Sequence, residues 1–246
     1  LALVLRVWLP YQREQEIVKA LSAVDANVEI EPGGPDWLRR RVGDQRMKPF
    51  DRVESVTIPR GAPGELLRDL AELKGVRRLQ IGGVRLTDRD LQQLSEMPEL
   101  QILWFDAGDI TDVGLEHIDG LAELQSLSLF DSRITDRGLE RLSRLTRLRD
   151  LSIDSSRISD AGLHHLSGLT DLVRLSVSNT GITDAGLKHL SGLTMLQDLR
   201  LHETKISDAG ISHLTGLFNL RWLTLSNTNI TDKGLADLEL IGNLQW

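Results

Sequence analysis

A threonine–aspartate or serine–aspartate pair returns every 24 residues along this chain, seven times in unbroken register. The pairs are Thr87-Asp88, Thr111-Asp112, Thr135-Asp136, Ser159-Asp160, Thr183-Asp184, Ser207-Asp208 and Thr231-Asp232. A fixed period of this length marks a solenoid, in which each unit is too small to bury its own apolar face and packs only on its neighbours. Such a chain grows by stacking, so its 246 residues need not divide into two globular cores. The product is a broad surface rather than a deep pocket, which favours holding a partner over chemistry.

Within each unit the apolar spacing changes character. Leu187, Leu190 and Leu193 have helical spacing, whereas Leu199 and Leu201 alternate as in a strand. Every unit is therefore a helix followed by a strand, with both apolar faces converging on one core. Residues 63–86 form a degenerate unit in the same register, six full units cover 87–230, and a seventh is cut short.

The front of the chain has another pattern. Ile17, Ala20, Leu21 and Val24 predict a helix over 11–24, and Val28 to Glu31 alternate like a short strand. Pro32-Gly33-Gly34-Pro35 is a turn, Asp36 reads as an N-cap, Gly43 suits a helix end, and Val53, Val56 and Ile58 make the next strand. Residues 11–62 are expected to cap the open end of the solenoid, with repeats filling 63–246. Arg39, Arg40 and Arg41 read as a solvated run near a helix C-terminus, with a lipid headgroup or partner contact as the alternative. Residues 1–10 open with the apolar run Leu1–Leu9. That run is far shorter than the ~20 residues of a spanning helix. It is either the end of a membrane anchor, with Trp8 and Tyr11 at the interface, or the start of a packed helix.

The formal net charge of −7 with interspersed signs argues against a general nucleic-acid role. The absence of cysteine removes disulfides and thiolate metal sites.

Leu172-Val-Arg-Leu175-Ser-Val177-Ser-Asn-Thr180-Gly-Ile182 resembles the leucine-rich-repeat signature L-x-x-L-x-L-x-x-(N/C)-x-L. Thr183-Asp184-Ala185-Gly186-Leu187-Lys188-His189-Leu190 is similar to the T-D-x-G-L-x-x-L helix of that family's cysteine-containing subclass. The units here are shorter, and Thr180, Thr204, Thr228, Ser132 and Ser156 stand where its Asn or Cys would be. The nearest likeness is to bacterial proteins with 24-residue L-T-D-x-G-L units. Some of those follow a single membrane anchor and carry a module similar to Gln12–Gln15 through Gly34–Arg40, which would place the repeats outside the cytoplasm; the alternative is a cytoplasmic chain. The resemblance implies an α/β leucine-rich-repeat solenoid, a horseshoe with a parallel sheet on the concave face and helices on the convex face. It also implies protein–protein interaction, and it carries no catalytic residue or cofactor across.

Asp88, Asp112, Asp136, Asp160, Asp184, Asp208 and Asp232 are expected at helix starts as caps, where a carboxylate complements the positive helix end. Calcium is the weaker reading, because one carboxylate per unit falls short of its six or more oxygens. The glycines at 114, 138, 162, 186, 210 and 234 should allow close helix approach, and Asp90 in their place suggests a looser fit. The Thr/Ser column should be buried, with its hydroxyls bonded to the adjacent loop. His117, His165, His189 and His213 share one position on successive helices, but neighbouring packed helices lie too far apart for three to meet at zinc. His164 is expected to point elsewhere. No cysteine nucleophile, Gly-x-Ser-x-Gly, Walker loop, dinucleotide fingerprint or His-Glu-x-x-His occurs.

Outward strand positions form the candidate partner surface. Ile102, Trp104 and Phe130 gather beside Asp106 and Asp131; Asp154 follows, and Arg174, Arg200 and His202 lie further along near Trp222. Trp246 occupies the Trp222 position one unit later. Aromatic anchors with a charged rim suit a protein interface. The leading expectation is a non-enzymatic protein-binding scaffold. The alternatives are a regulatory or targeting domain of a larger enzyme, a ubiquitin-ligase-like substrate receptor (though no F-box is seen), and an element that assembles through its open ends.

Overall fold

The computed structural model describes residues 2–61, 66–73, 75–83, 86–106 and 108–245. Trp246 lies outside them. The first helix, α1 (Ala2–Ser22), starts nine residues earlier than the apolar pattern predicts, so residues 2–10 continue into it without a break. Among the described residues, no helix is long and apolar enough to cross a membrane. The front segment continues with β1 (Asn27–Glu31), α2 (Asp36–Val42), α3 (Asp44–Met47), a single 3-10 turn (Lys48–Phe50) and β2 (Arg52–Ile58). Pro35, not Asp36, holds the N-cap position of α2, and Asp36 is its first helical residue. Proline's fixed φ suits the extended backbone there (φ −74°, ψ 138°).

The repeats then alternate α4 (Leu66–Leu70), β3 (Arg78–Ile81), α5 (Asp88–Leu94), β4 (Ile102–Asp106), α6 (Asp112–Leu115), β5 (Ser126–Phe130), α7 (Asp136–Leu142) and β6 (Asp150–Ser152). They end with α8 (Asp160–Leu166), β7 (Arg174–Ser176), α9 (Asp184–Leu187), β8 (Asp198–Arg200), α10 (Asp208–Ile211), β9 (Trp222–Thr224) and α11 (Asp232–Leu238). Among the described residues the nine strands form one open sheet in sequence order. From β2 onward each strand pairs parallel with the next; β1 pairs antiparallel with β2. Leu187, Leu190, Leu193, Leu196, Leu199, Leu201 and Ile206 are all fully buried, so one unit's helical and strand leucines meet in one core. Ile17 and Leu21 of α1 join the same apolar cluster.

The repeated aspartate does more than cap. The N-cap is the Thr/Ser before it: Thr111, Thr135, Thr183 and Thr231 each accept from a backbone N–H two residues on. The aspartate is the first helical residue, and its carboxylate reaches the next unit. Asp160 Oδ1 accepts from Thr183 N–H at 2.8 Å and Oδ2 from the Thr183 hydroxyl at 2.6 Å. The same two bonds link Asp88 to Thr111, Asp112 to Thr135, Asp136 to Ser159, Asp184 to Ser207 and Asp208 to Thr231. Those from Thr231 hold the Asp208 carboxyl below the usual carboxylate range.

The glycine column makes room for these links. A Cβ at Gly138, Gly186 or Gly210 would stand 2.5 Å from Oδ1 of Asp112, Asp160 or Asp184. In the first full unit Gly64 occupies the preceding aspartate's place in the sequence. Asp90 supplies the missing acceptor from within its own unit, taking the Thr87 N–H at 2.8 Å and hydroxyl at 2.7 Å. The side chain at position 90 is thus a local replacement for the link, rather than a sign of looser fit.

Apart from Ser132, whose buried hydroxyl has no partner among the described residues, the Thr/Ser column bonds within its own strand exit instead of to a neighbouring loop. Thr180, Thr204, Thr228 and Ser156 each donate to the carbonyl three residues back, at 2.6–2.7 Å. Thr180 and Thr228 are half-buried, while Ser132, Ser156 and Thr204 are buried.

Candidate functional site

The parallel register lines up the outward residues across the sheet. Ile102, Ser126, Asp150, Arg174, Asp198 and Trp222 form one row; Trp104, Ser128, Ser152, Ser176, Arg200 and Thr224 form the next. Trp104, Phe130 and Trp222 are about half exposed, at 44%, 48% and 47%. The Trp104 indole donates to Ser126 Oγ at 2.7 Å, so it lies fixed across the neighbouring strand. An aromatic held in place before a partner arrives loses little conformational freedom on binding.

Trp104 separates two depressions. One, about 310 Å³, runs from Trp104 over β5 to β8 and brings together Asp150, Asp154, Arg174, Asp198 and Arg200. The other, about 260 Å³, lies toward β2 and includes Gln80, Asp106 and Ser128. Phe130 and Asp131 sit at the strand exit beside these depressions and line neither. His202 and Trp222 also lie off the larger groove.

In the sequence the arginines lie apart from Trp104, nearer Trp222, as a second cluster. The structure puts them in the same groove and pairs them. Arg174 meets Asp150 through Nε at 2.5 Å and Nη2 at 2.9 Å. Arg200 donates to Asp198 from Nε at 3.3 Å and Nη2 at 3.0 Å, which raises the guanidinium pKa further. Asp154 is a hub, accepting from Ser152 Oγ (2.9 Å), Ser176 Oγ (2.6 Å) and Ser178 N–H (2.6 Å). Asp150, Asp198 and these serines stand in the outward rows that strand alternation marks as the candidate surface, but that alternation does not single them out as binding residues. Ser126, Ser176 and Ser178 are buried despite their outward positions.

Asp131 has a second reason for its place. It shares a left-handed backbone position with Ser155, Asn179, Glu203 and Asn227, all with φ between 52° and 58°, which Asp and Asn adopt at low cost. On the helices, the His164 ring packs edge-on against His189 of the next unit, with centroids 5.0 Å apart, so His164 does not point away. Burial, followed by Lys188 and His164, lowers the His189 pKa. Among the described residues, no three His, Asp or Glu side chains are placed to hold a metal.

The sequence profile described as Leucine Rich repeat matches residues 123–143 and 168–191. These stretches coincide with helix-and-strand units already seen in the sheet. The fold is a leucine-rich-repeat solenoid. Solved leucine-rich-repeat structures align over most of it. Internalin C2 from Listeria monocytogenes is 27% identical with a TM-score of 0.63, covering 78% of each chain. An internalin, inlF, from the same organism is 24% identical with a TM-score of 0.57, covering 73% of this chain and 57% of its own; at that identity the likeness shows the fold alone. No curated protein sequence matches the chain.

Proposed function

We propose that the chain is a non-enzymatic scaffold that docks a protein partner on its open sheet face, the inner face of the expected horseshoe. The observation that carries this reading is Trp104: a half-exposed, hydrogen-bonded aromatic between two depressions, beside ion pairs and exposed Phe130. Aromatic anchors surrounded by polar groups are where binding energy concentrates in protein interfaces. The leucine-rich-repeat fold, which serves interaction in the family this chain resembles, supports it. The unit pattern favours the bacterial 24-residue type. Burial of Ile17 and Leu21 in the repeat core supports a capping role for residues 11–62.

The test is a pull-down with the wild-type chain, the W104A/F130A double variant and a variant altered only on the helical side. A protein held by the first and third and lost by W104A/F130A is the expected result. Each lost anchor should cost about 1–2 kcal/mol of binding or more. Retention of every partner by a normally folded W104A/F130A chain would overturn the assignment.

A further inference from the structure

The front segment carries a second surface that the sheet face does not explain. Trp37 of α2 is 62% exposed and Phe50 of the adjoining 3-10 turn is 47% exposed. A knot of polar contacts holds the backbone between them. Asp51 accepts from Gly33 N–H at 3.0 Å and pairs with Arg39, which also donates to the Gly33 carbonyl at 2.8 Å. Gly33 has no room for a Cβ against the Phe50 carbonyl. The 3-10 turn packs on α1, where Trp8 and Leu9 are exposed and Trp8 meets Tyr11 edge-on at 5.9 Å.

The charge here is predominantly positive, since the exposed acids of α2 and α3, Asp36 and Asp44, are outnumbered by the cations around them. Arg40, Arg41, Arg46 and Lys48 are exposed, and among the described residues none of them makes an ion pair. Arg39, the one arginine of the run that is tied down, is neutralised by Asp51 and Asp44. The whole chain is nevertheless acidic, at −7. The groove on the sheet, by contrast, pairs its arginines internally. Unpaired cations among exposed aromatics complement a surface that is uniformly negative and accepts apolar rings, which describes an anionic lipid headgroup layer. A protein surface would have to offer both properties over the same patch.

We infer that α2, α3 and the 48–50 turn form a peripheral docking surface for anionic membrane, with Trp37 and Phe50 entering the interface and Arg40, Arg41, Arg46 and Lys48 facing headgroup phosphates. This surface lies on the membrane and needs no spanning helix. It acts independently of what the sheet face binds.

The test is flotation of the full chain with equimolar phosphatidylglycerol–phosphatidylcholine vesicles and with phosphatidylcholine vesicles alone. Binding is expected to the first, weakened by added salt, and not to the second. R40Q/R41Q should reduce it by roughly 30-fold, at about 5-fold per cation. W37A/F50A should reduce it by about 10-fold or more. Both variants should keep the wild-type circular dichroism, since these side chains are exposed and outside the Asp51 knot. W104A/F130A should float like the wild type. Absence of flotation, equal binding to both vesicles, or indifference to R40Q/R41Q overturns the inference. So does loss of flotation in W104A/F130A, or binding to soluble polyglutamate without binding to vesicles, which would assign the surface to an acidic protein.

Discussion

At the exits of β5 to β9 one residue adopts the left-handed conformation, and the side chains tolerate this unequally. Asn179, Asn227 and Asp131 suit it, whereas Glu203, at φ 57°, does not. Glu203→Asn is therefore expected to stabilise the chain by ~1 kcal/mol, read as a higher midpoint in urea unfolding; no gain would mean that Glu203 makes compensating contacts. The residue after it, Thr204, is buried and spends its hydroxyl on the Leu201 carbonyl at 2.6 Å. Sequence alone showed that a small hydroxyl residue recurs there. It did not show which carbonyl is bonded, because that depends on the backbone turning back on itself within three residues.

At the scale of elements, neighbouring helices are joined by a carboxylate that needs a glycine beside it. Asp160 satisfies the Thr183 N–H and hydroxyl, and Gly186 leaves the space Oδ1 occupies. Asp160→Ala should cost about 1–3 kcal/mol through unpaired groups at the next helix start. Gly186→Ala should cost about 1–3 kcal/mol by crowding that carboxylate. The double variant is expected to lose less than the sum, by ~1 kcal/mol or more, because removing the carboxylate clears the space for the new methyl. Strict additivity in denaturant unfolding would show that the two positions do not compete. The T-D-x-G pattern is visible in the sequence as two columns. Their coupling is not, because the partners lie about one unit apart and meet only when the units stack.

For the whole molecule, stability is shared between adjacent units rather than pooled in one core. Leu199→Ala, at a fully buried position, should cost about 2–5 kcal/mol. Hydrogen exchange should then show lost protection in β7 to β9 and their helices, with β3 to β5 protected as in the wild type. Uniform loss across the sheet would instead mark a single cooperative core. Legibility of the candidate site follows the same division. The outward rows holding Trp104, Phe130, Arg174 and Arg200 were legible from strand alternation, since side chains alternate faces whatever the fold around them. That Trp104 bonds Ser126, that the arginines turn back onto Asp150 and Asp198, and that Ser178 is buried were not. The sequence by itself determined the solenoid, because a 24-residue period with helical and then alternating leucines leaves only stacking as a way to bury them. Only the tertiary structure decided which charges remain free and where the surface is hollow, because those depend on how side chains turn and on distances across paired strands, such as Arg174 to Asp150 and Trp104 to Ser126, which exist only once the units stack.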